Sequence, residues 1–360
     1  MLFGTLNQRR EEKHEIQNGK MVGHCGRCHA AIAGRGGAQT ESPPHSRYLV
    51  VDTGTLGGPN STFQGFFKVI NARGIAVTAA DTAEPDPNTP CFNPNGGTDC
   101  FVRHAGLWNH RKLVDLGTLT GGYFSQGIWL AENGLIASGS DIGIPDPLTG
   151  QQLQLRAVVW RHGSIINLGT LGGNESVAAS VNSRGQVVGC ALNEIPDTFS
   201  SPFAEFVGAF KAATQTRAFI WKNGRMQDLG TLGGPDACAT YMNEYGQVAG
   251  FSYINSTPDP TFGIPAMHPF FWDRGRMTDL GTFGGVFTLP FALNNRGFLN
   301  TAGDRAQHPF LWERGRLTDL GTLGGDNGEA RWINDEGVAV GNADLPGSTV
   351  TSLSWAFQRD

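Results

Sequence analysis

The sequence predicts an all-β fold in which six antiparallel four-stranded modules surround a common axis. Three observations predict it. The chain has 51 glycines and only 16% charged residues, which points to many short strands joined by tight turns. A Gly-Thr pair recurs at Gly54, Gly117, Gly169, Gly230, Gly281 and Gly321, 40 to 63 residues apart, and a four-stranded module needs about 40 residues. Lastly, the two ends of the chain lack complementary parts of the repeat. Apolar residues make up 39% of 360, enough for a sizeable core.

Each repeat opens after a Gly-Gly pair with a first strand, as in "ESVAASVN" (175–182) and "GEARWIN" (328–334). An N-x-x-G turn follows at Asn71, Asn182, Asn243, Asn294 and Asn334. Asn caps its own backbone two residues on, and Gly supplies the positive φ at the fourth position. The second repeat departs from this rule, with Ala131 in the Asn position. A second strand, such as "QVVGCA" or "QVAGFS", leads into an insertion of variable length. The third strand ends at Trp108, Trp160, Trp221, Trp272 and Trp312. Two-residue turns such as Asn223-Gly224 and Arg314-Gly315 make the hairpin to a fourth strand, in which apolar Met226 and Leu229 flank polar Gln227 and Asp228.

Upstream of Gly54 stands a lone fourth strand, "RYLVVDTGTL". Downstream of Gly337 stand a second strand, "VAVGNA", and a third, "LSWAF", with no fourth. The N-terminal strand therefore completes the last module and closes the ring, which removes unpaired edges. The expected fold is a six-bladed β-propeller over 47–360, closed in this way, preceded by a weakly structured tail over 1–46.

The order of strands resembles a WD-type blade, without the Trp-Asp word itself. Three further words carry a family resemblance. D-L-G-T-L-G-G is complete at 228–234 and 319–325, and varied at 52–58, 115–121, 167–173 and 279–285. N-x-x-G-x-V-x-G follows it. H-A-F-x-W stands as Arg217-Ala218-Phe219, as Trp355-Ala356-Phe357, and with Pro in the middle at His268 and His308. In this order, over about residues 48–358, they resemble the HAF-repeat family of extracellular repeat proteins. The resemblance implies export, to the periplasm or beyond, and supplies no catalytic residues. The N-terminus itself shows no apolar stretch of the kind a signal peptide carries.

In such a ring the fourth-to-first connections and all the insertions fall on one face, where a ligand is expected. Four insertions carry a Pro-Asp step, at Asp86, Asp146, Asp197 and Asp259. These carboxylates either hold a divalent cation or cationic ligand, or simply start turns. Tyr123, Phe124, Phe262 and Phe287 depart from the repeat in the same loops and are candidates for stacking on a sugar or peptide. Asp115, Asp228, Asp279 and Asp319 recur in nearly every repeat, and repetition assigns them to structure. The Arg- and Lys-bearing hairpin turns on the opposite face offer a basic rim.

"HCGRCH" at 24–29 places Cys25, Cys28 and His29 at the spacing for covalent haem c attachment, or for a zinc site with His24. Cys91 and Cys100 bracket a loop that a disulfide would close, whereas Cys190 and Cys238 read as small buried residues of strands. A net charge of −5 gives no reason to expect nucleic acid, and no run approaches the roughly 18 apolar residues of a membrane span. No nucleophile elbow, phosphate loop or zinc-protease motif is present. The expected function is an exported or cell-surface binding or scaffold module for a protein or glycan. The alternatives are a polysaccharide hydrolase or lyase using the insertion face, and a haem-bearing redox protein.

Overall fold

The computed structural model describes residues 50–360 except 65–66, 89–90, 92–99, 151, 209, 297–298, 304–307, 348–352 and 358–360. The chain divides into two compact units, Met1–Thr53 and Gly54–Asp360. In the first, residues 50–53 carry no strand. The second holds six antiparallel sheets, each a meander in chain order.

The first sheet is β1 (Gly57–Thr62), β2 (Ala76–Pro85), β3 (Phe101–Trp108) and β4 (Leu113–Asp115). The second is β5 (Trp129–Leu130), β6 (Ile136–Pro145), β7 (Leu153–Arg161) and β8 (Ser164–Asn167). The third contains β9 (Ser176–Val181), β10 (Val187–Pro196), β11 (Thr214–Lys222) and β12 (Arg225–Asp228), with a helix, α1 (Ser200–Val207), between β10 and β11. The fourth is β13 (Ala237–Met242), β14 (Val248–Pro258), β15 (Pro265–Asp273) and β16 (Arg276–Asp279). The fifth is β17 (Thr288–Leu293), β18 (Leu299–Gly303), β19 (Phe310–Glu313) and β20 (Arg316–Asp319). The last, β21 (Gly328–Ile333), β22 (Ala339–Ala343) and β23 (Leu353–Phe357), has three strands among the described residues. Four strands per repeat follow from the alternating pattern and the Asn-Gly type turns. Among the described residues the last sheet has no fourth strand and no sheet closes on itself; residues 47–49 of the strand expected there lie outside the described residues.

Successive sheets pack face to face, and their first strands neighbour one another in order from β5 to β21. All six residues of β9 are buried, Ser176 and Ser180 among them, as are the first six of β10, which read as a continuous run of small and apolar residues. The third-strand tryptophans knit sheets together. Phe271 packs on Trp312 of the next sheet with ring centroids 4.9 Å apart. Trp160, 2% exposed, donates from Nε1 to Leu116 O of the preceding sheet.

The repeated words become hydrogen bonds. His104 and His268, within third strands, and His308, two residues before one, each meet the Asp that closes the fourth strand of the same sheet, Asp115, Asp279 and Asp319, at 2.9 Å. Arg217 meets Asp228 likewise at 2.9 Å. Each Asp also accepts the N–H of the Gly two residues on, as Asp115 does from Gly117 at 2.7 Å. The H-A-F and D-L-G-T words are thus two halves of one clasp. In the Gly-Gly pair, Gly233 has φ +121°, and a Cβ on Gly234 would stand 2.5 Å from the Tyr253 side chain. Only glycine lets the connection pass so close to the next sheet.

The N-x-x-G turns form a belt at one end of the sheets. Asn243 Oδ1 accepts the N–H groups of Tyr245 and Gln247, while Nδ2 donates to Asn294 O in the next sheet at 3.0 Å. Asn182 Nδ2 donates to Asn243 O, and Asn294 Nδ2 to Asn334 O. A second row runs beside it: Ser183 N–H donates to Glu244, Glu244 N–H to Asn295, and Asn295 N–H to Asp335.

Candidate functional site

The opposite end of the sheets carries the insertions. Pro85, Pro145, Pro196 and Pro258 end second strands because proline has no N–H for the ladder. The aspartate after each organises the loop. Asp86 Oδ1 accepts the N–H of Asn88, Asp197 Oδ2 that of Phe199, and Asp259 Oδ1 those of Thr261 and Phe262. Asp146, 1% exposed, accepts from Leu148 and Thr149 through one oxygen and from Asn174 Nδ2 through the other. Each of the four accepts at least one N–H of its own loop, and Asp146 also reaches Asn174 of the next repeat. Among the described residues no three His, Cys, Asp or Glu side chains are grouped to hold a metal.

Three of these aspartates face a buried carboxylate of the next sheet, a pairing that sequence reasoning missed. Asp141, on β6, takes backbone N–H groups from Tyr123, Phe124 and Gly143, and burial, with the Asp86 charge beside it, pushes it up to about 6. Glu175 is 2% exposed and has one carboxylate oxygen without a hydrogen-bond partner. Burial, reinforced by the Asp146 charge, pushes it up to about 9. Asp236 accepts Thr216 N–H and Ser200 Oγ–H, and burial together with Asp197 pushes it up to about 7. A signal existed: Glu175 and Asp236 both stand two residues after the Gly-Gly pair, where the other repeats have Asn60, Phe124, Phe287 and Asn327.

Ser200 Oγ also stands 3.0 Å from Asp197 Oδ2, so its single hydroxyl lies between the Asp197–Asp236 pair, which anchors the start of α1. The helix ends at Gly208, in the left-handed conformation at φ +68°, whose N–H returns to Ala204 O. Phe203 packs between Phe251 and Tyr253 at 5.2 and 4.9 Å. The insertion was expected to hold a loop. Its Ser-Ser-Pro start and Gly stop are helix signals, but the span of eight residues is short.

The stacking candidates separate. Tyr123 and Phe262 are exposed at 38% and 45%, and Phe262 rests edge-on against Phe287 at 4.9 Å. Phe124, expected in a loop, is 2% exposed and belongs to the core. Its backbone N–H is pinned by Asp141, which turns the ring inward. Ile144, Leu148 and Ile195 join Tyr123 and Phe262 as exposed apolar side chains at this end.

The cysteines divide the expectations as well. Cys91 and Cys100 are bonded, closing their loop. Cys190 and Cys238 are also bonded, contrary to their reading as plain buried residues. The reason is packing: β10 and β13 of adjacent sheets run side by side, bringing the two Cα atoms to 4.9 Å. Cys25, Cys28 and His29 lie outside the described residues.

Two recesses lie where the modules meet. At the turn end, a recess of about 290 Å³ is lined by Lys68, Glu132, Val181, Glu244, Asn295 and Asp335, one residue from each of the six repeats. At the insertion end, a cavity of about 230 Å³ draws walls from the first four repeats and from the end of α1. Among the described residues no helix is long and apolar enough to cross a membrane.

No family model matches the chain, and no curated protein does. Among solved structures, the β-propeller domain of the trilobed protease from Pyrococcus furiosus, described as having an open velcro topology, aligns with 81% of this chain and 80% of its own length. The identity is 10% and the TM-score 0.44. A gluconolactonase from Xanthomonas campestris aligns with 67% of this chain and 75% of its own length, at 10% identity and a TM-score of 0.34.

Proposed function

We propose that the chain is a six-bladed β-propeller of HAF-repeat type, closed by pairing of residues 47–52 with β23, and that it acts as an exported or cell-surface binding module. The recess lined by all six repeats and the ordered contact of first strands support the ring. Two disulfides fit an oxidising compartment. One observation carries the binding role. Tyr123, Ile144, Leu148, Ile195 and Phe262 stand exposed at a single end, on loops and the strand ends beside them, where Asp141, Asp146, Asp197 and Asp259 pin the backbone. Apolar side chains held on a rigid rim suit a protein or glycan surface.

An acid–base enzyme would use the carboxyl pairs, but Glu175 and Asp236 are 2% and 0% exposed, beneath the loops rather than at a surface a polysaccharide reaches. The full chain should retain at least one ligand on a glycan and peptide array. The triple variant Ile144→Ser, Ile195→Ser, Phe262→Ser should weaken that binding by about tenfold or more. Equal binding by the variant would remove the rim from the reading, and an array without any ligand would remove the reading itself.

A further inference from the structure

The 230 Å³ cavity at the insertion end is built unlike the rim around it. Phe67, Phe124, Ile128, Val177 and the Cys190–Cys238 disulfide line it, together with Val207 and Gly208 at the end of α1. No charged side chain is among its lining residues that the structure describes. Gln126 also lines it, and its Oε1 is buried without a hydrogen-bond partner among the described residues. A buried acceptor without a donor costs free energy, roughly 1–3 kcal/mol, that a ligand's N–H or O–H would recover.

We propose that this cavity is a binding site for a small, uncharged, mainly apolar molecule that carries one hydrogen-bond donor, directed at Gln126. Size and polarity both select that class. The space exceeds the ~150 Å³ apolar cavity that admits benzene, and lies below the ~300–1,000 Å³ of sites for drug-sized ligands. A charged ligand would lose its hydration with no counter-charge to meet it. The rim need not bind a macromolecule for this to hold.

The test uses the full chain with indole, phenol, toluene and benzoate as probes, followed by calorimetry and by the thermal midpoint. Indole and phenol should saturate a single site with dissociation constants in the millimolar range or below, and benzoate should bind at least about tenfold more weakly. Phenol should exceed toluene by roughly 3- to 10-fold, and Gln126→Leu should abolish that preference while toluene still binds. Val207→Trp, at a half-buried lining position on the last turn of α1, should occupy part of the cavity and remove indole binding with the fold intact by circular dichroism. Absence of saturable binding to the folded protein would overturn the proposal. So would benzoate binding as tightly as indole, or unchanged indole binding in Val207→Trp.

Discussion

At the turn end, Asn71, Asn182, Asn243 and Asn294 fill one place in one way, each buried with Oδ1 on the following N–H groups. At the insertion end four loops share the Asp that takes the N–H two residues on, and beyond that contact they diverge. One carries a disulfide between Cys91 and Cys100, one a helix, one the edge-on pair Phe262 and Phe287, and beneath three of them lies a different carboxyl pair. Uniform residues satisfy the same backbone groups in every repeat. Variable ones shape a cavity and an apolar rim. Repetition therefore marks what the array needs in order to form, and departure from it marks where this chain differs from a bare array.

The comparison breaks most visibly at the belt. Asn243→Ala removes two acceptor contacts and one inter-sheet bond at a site 4% exposed, and should cost about 3 kcal/mol in denaturant unfolding. Asn71→Ala should cost less, since Asn71 Nδ2 is buried without a partner. Equal losses would show that the inter-sheet bond contributes nothing.

Next in size is the link between the third and fourth sheets. Replacing Cys190 and Cys238 together by Ala should lower stability by about 2–4 kcal/mol under oxidising conditions, and much less relative to the reduced wild type. Equilibrium unfolding with and without reductant measures both.

The carboxyl pairs sharpen the contrast through pH. Glu175 is raised from 4.5 to about 9, so its neutral form belongs to the fold. Its contribution is full below about pH 4.5, and is lost as pH rises through 9, by up to about 1.4 kcal/mol per pH unit within that window. Asp236 acts in the same sense between 3.8 and about 7. Thermal midpoints of the wild type should fall on going from acid to alkaline buffer, and Glu175→Gln should flatten the fall. A midpoint that rises across the same range would contradict the burial argument.

The smallest effect belongs to the clasp. His268→Ala exposes Asp279 to solvent and should cost under about 1 kcal/mol, because both partners are partly exposed. His268 holds the Asp279 carboxyl below its ordinary 3.8, against the opposing push of burial. That stability is present above 3.8 and lost as pH falls through the lowered value, so the variant and wild type should converge in acid.

The elements that repeat were legible in the sequence. The N-x-x-G turns, the Trp-ended third strands and the clasp words each fix a local structure by spacing alone, and repetition multiplied the signal. What stands once was not legible. Phe124 looked like a loop aromatic until Asp141, 17 residues on, was seen to hold its backbone. Cys190 and Cys238, 48 residues apart, meet only because neighbouring sheets pack. The cavity gathers residues from four repeats, and its apolar walls read in sequence as ordinary core.

The inner row of hydrogen bonds has a direction. Ala72 N–H gives to Glu132, Ser183 to Glu244, Glu244 to Asn295 and Asn295 to Asp335, so at these four junctions a module grips the one that follows, and between the second and third modules Asn133 Nδ2 gives to Ser183 O instead. The place Glu132 fills for Ala72 would, in front of Asp335, be filled by Ala72 itself, whose methyl group can accept nothing. Wherever the first and last modules come together, they do so without this handhold. In the closed ring proposed above, that junction should be the first to open under a pulling force or a rising denaturant.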